Sequence, residues 1–406
     1  MARIPRHYWP VAGAAAAALI AVIVAGFVVP TSSEDAPVMT AAPTAVAVPT
    51  PPPGQLPVPA PAGWDTYAGW VVEAPRSDAA AVLVGTRALV GADSSSVFAL
   101  DPESGVELWR TGTPAPVTSL FASADGSRVF AAQGTSAVAA FDAETGDSLG
   151  NAEVDASAIG LGETPFAVLP GQSGAVLIDG QWSPRQVPAT TIPVGVVGTG
   201  LVNVSMSAQM LWVTTSNDPV LPPPVSLMPP ADGLALTSVV AMTGDKLVTL
   251  WSDNAGGPRK VVRVEAVAAD GTLSPVGSPI DLMGGYSGAS VDSAHRLVGI
   301  GGLLLNVETG TGVALPQGAV TVRAGFGWSE SGGLDRVRLA PDGAVESLSP
   351  SAVIPDVVLP DGRAVVRAPL GADSRGYYAL VATPPTPTTT PTEPEPTPTP
   401  TNGEQQ

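Results

Sequence analysis

The feature that most limits how this chain can fold is a turn that returns at a fixed distance. The segment Ala99, Leu100, Asp101, Pro102, Glu103, Ser104, Gly105, ending four residues on at Trp109, is followed 41 residues later by Ala140, Phe141, Asp142, Ala143, Glu144, Thr145, Gly146. A weaker third copy is Asn306, Val307, Glu308, Thr309, Gly310, and turn-forming residues mark the intervals at Asp179-Gly180, Asn217-Asp218, Asp270-Gly271 and Asp342-Gly343. From Gly105 to Gly343 there are 238 residues in six steps, a mean near 40. Between the turns lie short β-branched and apolar runs at intervals of about ten residues, such as Val97–Leu100 and Arg128–Ala131, which is an all-β pattern. Four short strands in a unit of that length are the arithmetic of a β-propeller blade.

The turn residues have physical work in such a unit. Asp or Asn braces the turn through its side chain and Gly supplies a positive φ at little cost. Ser104 and Thr145 can each add a local hydrogen bond, and Trp109 is a flat ring able to cover the joint between blades, where the second copy has Gly150. With Ala99, Asp101, Ser104, Gly105 and Trp109, and again with Ala140, Asp142, Thr145 and Gly146, the chain resembles the tryptophan-docking repeat of PQQ-binding-like propellers, A-x-D-x-x-T-G-x-x-x-W. That architecture is shared by quinoprotein alcohol dehydrogenases and propeller-type envelope assembly lipoproteins. The resemblance is specific over residues 80–150 and continues as spacing alone. It implies a fold more than an activity, because the motif residues hold blades together.

Counting forward gives units at 79–113, 116–155, 156–191, 193–230, 235–281, 286–317, 319–350 and 352–382, so eight blades are expected. Seven is the alternative, since residues 319–350 are rich in glycine and their second strand is poorly marked. The last unit shows only three strands, and the run Trp70–Ala74 has no blade of its own. It is therefore expected to supply the last blade's outer strand, closing the ring and removing an open edge.

Outside the propeller, 64–382, the chain divides into a cytoplasmic tip at 1–10, a transmembrane helix at 11–29, a proline-rich stalk at 30–63 and a disordered Thr/Pro-rich tail at 383–406. The 19 apolar residues Val11–Val29, at about 1.5 Å each, reach roughly 28 Å, enough to cross a hydrocarbon core. Arg3 and Arg6 before it and Glu34 and Asp35 after it place the N-terminus in the cytoplasm and the propeller outside. A cleaved signal peptide is the competing reading, although its apolar region is usually shorter and no clean small-residue site follows. Ten prolines among the 32 residues of 30–61 suit a semi-rigid spacer. Nine threonines and eight prolines in 383–401 suit either O-glycosylation or a bare spacer. Asn203-Val204-Ser205 matches a glycosylation sequon but falls within an expected strand.

Chemistry is scarce. The chain has no cysteine, which excludes disulfides, thiolate metal sites and a cysteine nucleophile. A net charge of −18 argues against nucleic acid as a partner. A quinone cofactor needs cations for its carboxylates and carboxylates for its metal; blades close to the bare repeat length leave little room for either, and no metal set maps across. No catalytic, cofactor-binding or metal-binding residue is therefore assigned, and no cofactor is expected. His295, the one histidine beyond the anchor, falls at an inter-strand turn and is expected to be solvated there. Ser123-Ala124-Asp125-Gly126 and the pairs Gly198/Gly200 and Gly301/Gly302 are read as turns. The remaining candidates for contact are the loop Asp253–Lys260, which carries the adjacent cations Arg259 and Lys260, and the proline loops Leu221–Val225 and Leu227–Pro230.

The expected protein is a single-pass bacterial cell-membrane protein with an extracytoplasmic propeller. It is not an enzyme, and it acts as a protein-interaction scaffold or ligand-binding module for an unidentified envelope protein. The alternative is a channel-centred enzyme, a quinoprotein-like dehydrogenase or hydrolase, or a propeller binding a small ligand or calcium.

Overall fold

A computed structural model describes residues 53–383, save 62, 75–78, 94, 124, 161–162, 172, 254–258, 283–285, 287, 315–318, 332–334, 349–352 and 371–373. The anchor expected at 11–29, most of the stalk and the tail lie outside the described residues. Every regular element described is a strand, and among the described residues no helix is long and apolar enough to cross a membrane.

The strands form eight antiparallel sheets, each a blade. Blade 1 runs through Val82–Val84, Ala88–Ala92, Ser96–Leu100 and Glu107–Gly112, paired in that order. Blades 2 to 7 occupy 119–153, 158–186, 192–226, 234–281, 289–314 and 320–348, each with its four strands in sequence order. The eight expected units are these blades to within a few residues, and the poorly marked strand of the seventh is Phe326–Ser331. First strands of neighbouring blades lie against each other, which puts them around the axis and the fourth strands at the rim.

Blade 8 is assembled from both ends of the domain. Val357–Val358, Ala364–Pro369 and Arg375–Ala382 come from the C-terminal side, and Trp64–Ala74 from the N-terminal side pairs with Arg375–Ala382. Here the structure departs from the expected stalk at 30–63. Gly54–Gln55 adds a fifth strand outside Trp64–Ala74, with Gly54 opposite Ala68 and Gln55 opposite Tyr67. Leu56, next in line, is buried. The prolines around these residues do not prevent pairing, because an edge strand needs N–H groups on one side only.

Stacking of blades explains the composition of the middle strands. Ala88–Ala92 and Ser96–Leu100 are buried at every position, since a neighbouring blade covers both of their faces. A strand in that setting reads as a continuous run of small and β-branched residues. The outer strand Glu107–Gly112 alternates, with Trp109 buried between exposed neighbours. The apolar clusters accordingly sit between blades: one joins blades 1 and 2, another blades 4 and 5, another blades 5 and 6. The core of the molecule is its seams.

Candidate functional site

Alternation of strand direction puts the turns between first and second strands, and between third and fourth, on one face of the disc. All the motif turns open there. In blade 1 the Asp101 carboxylate accepts the backbone N–H of Glu103 at 2.7 Å and of Ser104 at 3.2 Å, and Gly105 N–H donates to the Asp101 carbonyl at 2.8 Å. Asp142 does the same for Glu144, Thr145 and Gly146, each at 2.9 Å, and Asn306 for Glu308, Thr309 and Gly310 at 3.0, 3.3 and 2.9 Å. The N–H of Thr145 is the main reason the Asp142 carboxyl sits below its ordinary range. Charge on this side chain stabilises the turn, and its Oδ1 already accepts the Glu144 and Thr145 N–H groups and the Thr145 hydroxyl.

Two tryptophans dock on these turns. The Trp109 Nε1–H in blade 1 donates to the Ala143 carbonyl in blade 2 at 3.1 Å, and Trp70 in blade 8 donates to the Pro102 carbonyl in blade 1 at 3.2 Å. Each ring lies on the motif glycine: a Cβ at Gly146 would stand 2.5 Å from Trp109, and one at Gly105 2.6 Å from Trp70. Ala99 and Ala140 lie in the third strands leading into the turns, both buried. Where Gly150 replaces the tryptophan, its outer strand bulges between Ser148 and Gly150, and backbone meets backbone against Gly180 of blade 3. Gly277 meets Gly310 in the same way between blades 5 and 6. The motif residues named from the sequence thus all lie in two joints, among groups that hold blades together. Sequence reasoning missed Arg363, whose guanidinium donates to the Glu103 and Pro102 carbonyls at 2.9 and 3.0 Å beside Trp70 and so helps close the ring. With a separation of 260 residues, nothing local could have signalled it.

The titratable groups are paired too, some across joints and some within a blade. Asp356, buried in blade 8, holds Arg367 at 2.5 Å and Arg323 of blade 7 at 3.2 Å. The Tyr377 hydroxyl, raised by burial and then by Asp356, stays neutral. On the motif face Arg296 of blade 6 pairs with Glu308 at 3.4 Å and with Glu163 of blade 3, and Lys246 of blade 5 pairs with Asp245 at 2.6 Å. His295 is a half-exposed turn residue, as expected, but its Nδ1 lies 3.0 Å from both oxygens of Asp292. The same carboxylate accepts the Gly325 N–H of blade 7 at 2.9 Å. The hydrogen bond to Asp292 raises the His295 pKa above its ordinary value. Burial would raise the Asp292 carboxyl, but the His295 bonds and the Gly325 N–H bring it below the usual range.

Buried Glu265 pairs with the half-buried Arg263 at 3.0 Å, and burial pushes the Glu265 carboxyl up. Among the described residues no group of three or more acids and histidines is placed to hold a metal ion. Ser123 and Asp125 form a turn whose carboxyl is lowered to about 2, chiefly by the Ser123 hydroxyl. Asn203, in the sequon, is fully buried and its side-chain N–H donates to Leu201 and Thr214, so it is inaccessible to a glycosyltransferase in the folded state.

The contact candidates fall at the rim. Residues 254–258 of the Asp253–Lys260 loop lie outside those described; Arg259 beside them pairs loosely with Asp281 at 3.3 Å. The proline loops belong to blade 4, whose outer strand is only Val225–Ser226. Val220 is 79% and Met228 61% exposed, the two most exposed large apolar side chains among the described residues. Inside the 215–224 segment is an open cavity of about 250 Å³ bounded by Gln186, Val213, Ser216, Asp218, Leu221 and Pro222.

Eight blades built on four strands, the last carrying a fifth at its edge, a ring closed by an N-terminal strand and indoles set on Asp-x-x-Ser/Thr-Gly turns define a β-propeller of the PQQ-repeat class. The family model described as outer membrane protein assembly factor BamB matches residues 64–279, more than half of the 406-residue chain, and the chain belongs to that family. It is similar in structure to BamB from Moraxella catarrhalis, with a TM-score of 0.42 and 11% identity over 77% of this chain and 99% of that one. It is also similar to a chain of the mitotic checkpoint complex (TM-score 0.38, 14% identity, 89% of this chain and 99% of that one). The Cps50 (Swd1) β-propeller domain of Myceliophteria thermophila gives a TM-score of 0.39 at 12% identity over 77% of this chain and 99% of that one. No curated protein matches the chain.

Proposed function

We propose that the protein is a non-enzymatic propeller that binds other proteins of the bacterial cell envelope. Residues 11–29 would anchor it as a single span with the N-terminus cytoplasmic, and the proline-rich stretch up to residue 52 would hold the propeller off the membrane on the extracytoplasmic side. Residues 384–406 continue beyond the last strand as a spacer. The observation that carries the interaction reading is the placing of exposed apolar surface. Val220, Leu221 and Met228 gather on the rim loops of one blade, beside three consecutive prolines that stiffen the loop against loss of entropy on binding. Membership of a family named for an assembly factor supports the same role. The motif residues, occupied within joints, leave the rim loops as the surface free to vary.

The test is crosslinking and affinity purification of the full chain from native membranes, beside a control lacking residues 53–383. A partner recovered only with the propeller supports the reading. Intact, abundant bait that recovers nothing specific overturns it. For the anchor, resistance of the full chain to alkaline extraction, lost on deleting residues 11–29, is the expected outcome; release of the intact chain into the soluble fraction contradicts it.

A further inference from the structure

We infer that the outer edge of blade 4 receives an extended, cationic segment of a partner protein, which completes the blade as an added strand. The inference rests on the interaction reading above and names the partner's chemistry. Other outer strands are longer: Glu107–Gly112 in blade 1, Leu273–Asp281 in blade 5 and Thr311–Ala314 in blade 6. In blade 4 the pairing covers only Met210 with Ser226 and Leu211 with Val225. Carrying that register two residues further sets Pro223 opposite Val213. Pro222, Pro223 and Pro224 have no N–H to give, so the ladder must stop there. Below the stop it is sound, since Leu227 N–H donates to the Gln209 carbonyl at 2.8 Å. The gap is therefore local: among the described residues Trp212–Thr214 have no strand partner on their outer side, and the chain passes them at a distance that leaves the cavity of about 250 Å³.

The molecule itself shows how little is needed to occupy such an edge. On blade 8 the pairing residues Gly54 and Gln55 are followed by one apolar anchor, Leu56, which is 4% exposed and whose N–H donates to the Thr66 carbonyl at 2.7 Å. Flanking prolines, Pro53 and Pro57, bound that segment. Blade 4 offers an equivalent set: outward backbone groups at Val213 and Thr215, and an apolar cavity wall from Val213, Leu221 and Pro222. Strand addition of this kind takes affinity from the backbone and selectivity from alternate side chains. Asp218 is the ionic side chain on the cavity wall, and the chain carries −18 overall, so the field favours a strand bearing lysine or arginine and repels an acidic one.

The experiment is hydrogen exchange, read by mass spectrometry on the full chain, with the peptide acetyl-Thr-Lys-Leu-Lys-Val-Lys-Thr-amide at millimolar concentration. Two controls are the same peptide N-methylated at Leu and Val, and a version with Glu for each Lys. The expected result is exchange slowed about fivefold or more over residues 211–216 by the parent peptide and by neither control. Unchanged exchange there overturns the inference, as does equal protection by the N-methylated peptide. The triple variant P222T/P223V/P224T supplies N–H groups with which the chain can extend its own outer strand. It is expected to protect 211–216 without peptide and to lose the peptide response, while a full response in this folded variant also overturns the proposal. A partner captured from membranes with no protection at blade 4 would sink this inference alone and leave the interaction reading standing.

Discussion

The indole of Trp109 rests on Gly146 with no room for one more carbon, and the Gly146 φ of 74° is one that side chains rarely adopt. Both facts make Gly146→Ala costly, by overpacking against a ring that cannot withdraw and by backbone strain. Together they are expected to lower stability by about 2–4 kcal/mol in urea unfolding, with a red shift in Trp109 fluorescence. A loss under about 0.5 kcal/mol would mean that the joint is looser than its geometry. The Asp292–His295 pair is a joint of another kind, between blades 6 and 7. A histidine pKa raised on folding adds stability that is complete below its ordinary value, near 6.5, and is lost as pH rises through the raised one. The Asp292 pKa is lowered, so its contribution is present above the usual carboxylate range and is lost as pH falls through the lowered value. The pair works between those limits. His295 is 43% exposed, so after allowing for solvent screening His295→Gln should cost only about 0.5 kcal/mol at pH 6. Denaturation midpoints of wild type and variant should converge by pH 9; a difference that persists unchanged would show that the histidine acts by packing.

What could be read in advance at the level of elements depended on whether a local requirement left a local mark. The turns at Gly105, Gly146, Gly180, Gly271, Gly310 and Gly343 all carry positive φ, and that demand selects glycine at regular intervals. Because the mark repeats, it gave the period, and the period gave the blade count. The short blade 4 strand had a mark as well, in Pro222–Pro224, but a proline run reads first as a loop and only the register shows which ladder it interrupts. The contact candidates at Leu221–Val225 and Leu227–Pro230 were therefore legible as loops and not as a missing strand. The strand Gly54–Gln55 was hidden differently, since prolines at 51–53, 57, 59 and 61 gave the whole stretch the composition of a spacer. Its pairing is specified by an edge made elsewhere, on Trp64–Ala74. Leu56→Ala is the direct check. A buried leucine truncated at an edge that can partly collapse should cost about 2–3 kcal/mol, and limited proteolysis should then cleave ahead of Trp64 before the blades are attacked. Unchanged protease resistance would show that the fifth strand adds nothing.

At the scale of the whole molecule the question is why a ring of eight sheets stays shut, given that the apolar clusters join only neighbouring blades, with the Arg296–Glu163 ion pair between blades 6 and 3 reaching further, and a ring can open at any seam. The answer lies in where the covalent ends were put. No blade-to-blade seam coincides with the two ends of the propeller segment, because blade 8 takes strands from the start of the domain and three from its end, and the Thr383 N–H donates to the Gly63 carbonyl at 2.9 Å. To open the ring at that point, the pairing of Trp64–Ala74 with Arg375–Ala382 must break inside a blade, and with it the docking of Trp70 on blade 1. The strand carries two buried tryptophans, Trp64 and Trp70, at 8% and 1% exposure. Truncating one such side chain costs about 3–5 kcal/mol, so losing both approaches the 5–15 kcal/mol that stabilises a whole domain. Deleting residues 53–74 from the full chain should therefore do more than weaken one blade. It leaves Arg375–Ala382 as an unpaired, largely apolar edge and removes one partner from the blade 8 to blade 1 seam. The expected outcome is a fall of more than about 10 °C in unfolding midpoint by calorimetry, with concentration-dependent association by light scattering as exposed edges pair between copies. A deleted chain that stayed monomeric and unfolded at the native temperature would mean that the seams alone close the ring. The shared blade would then have no part in stability.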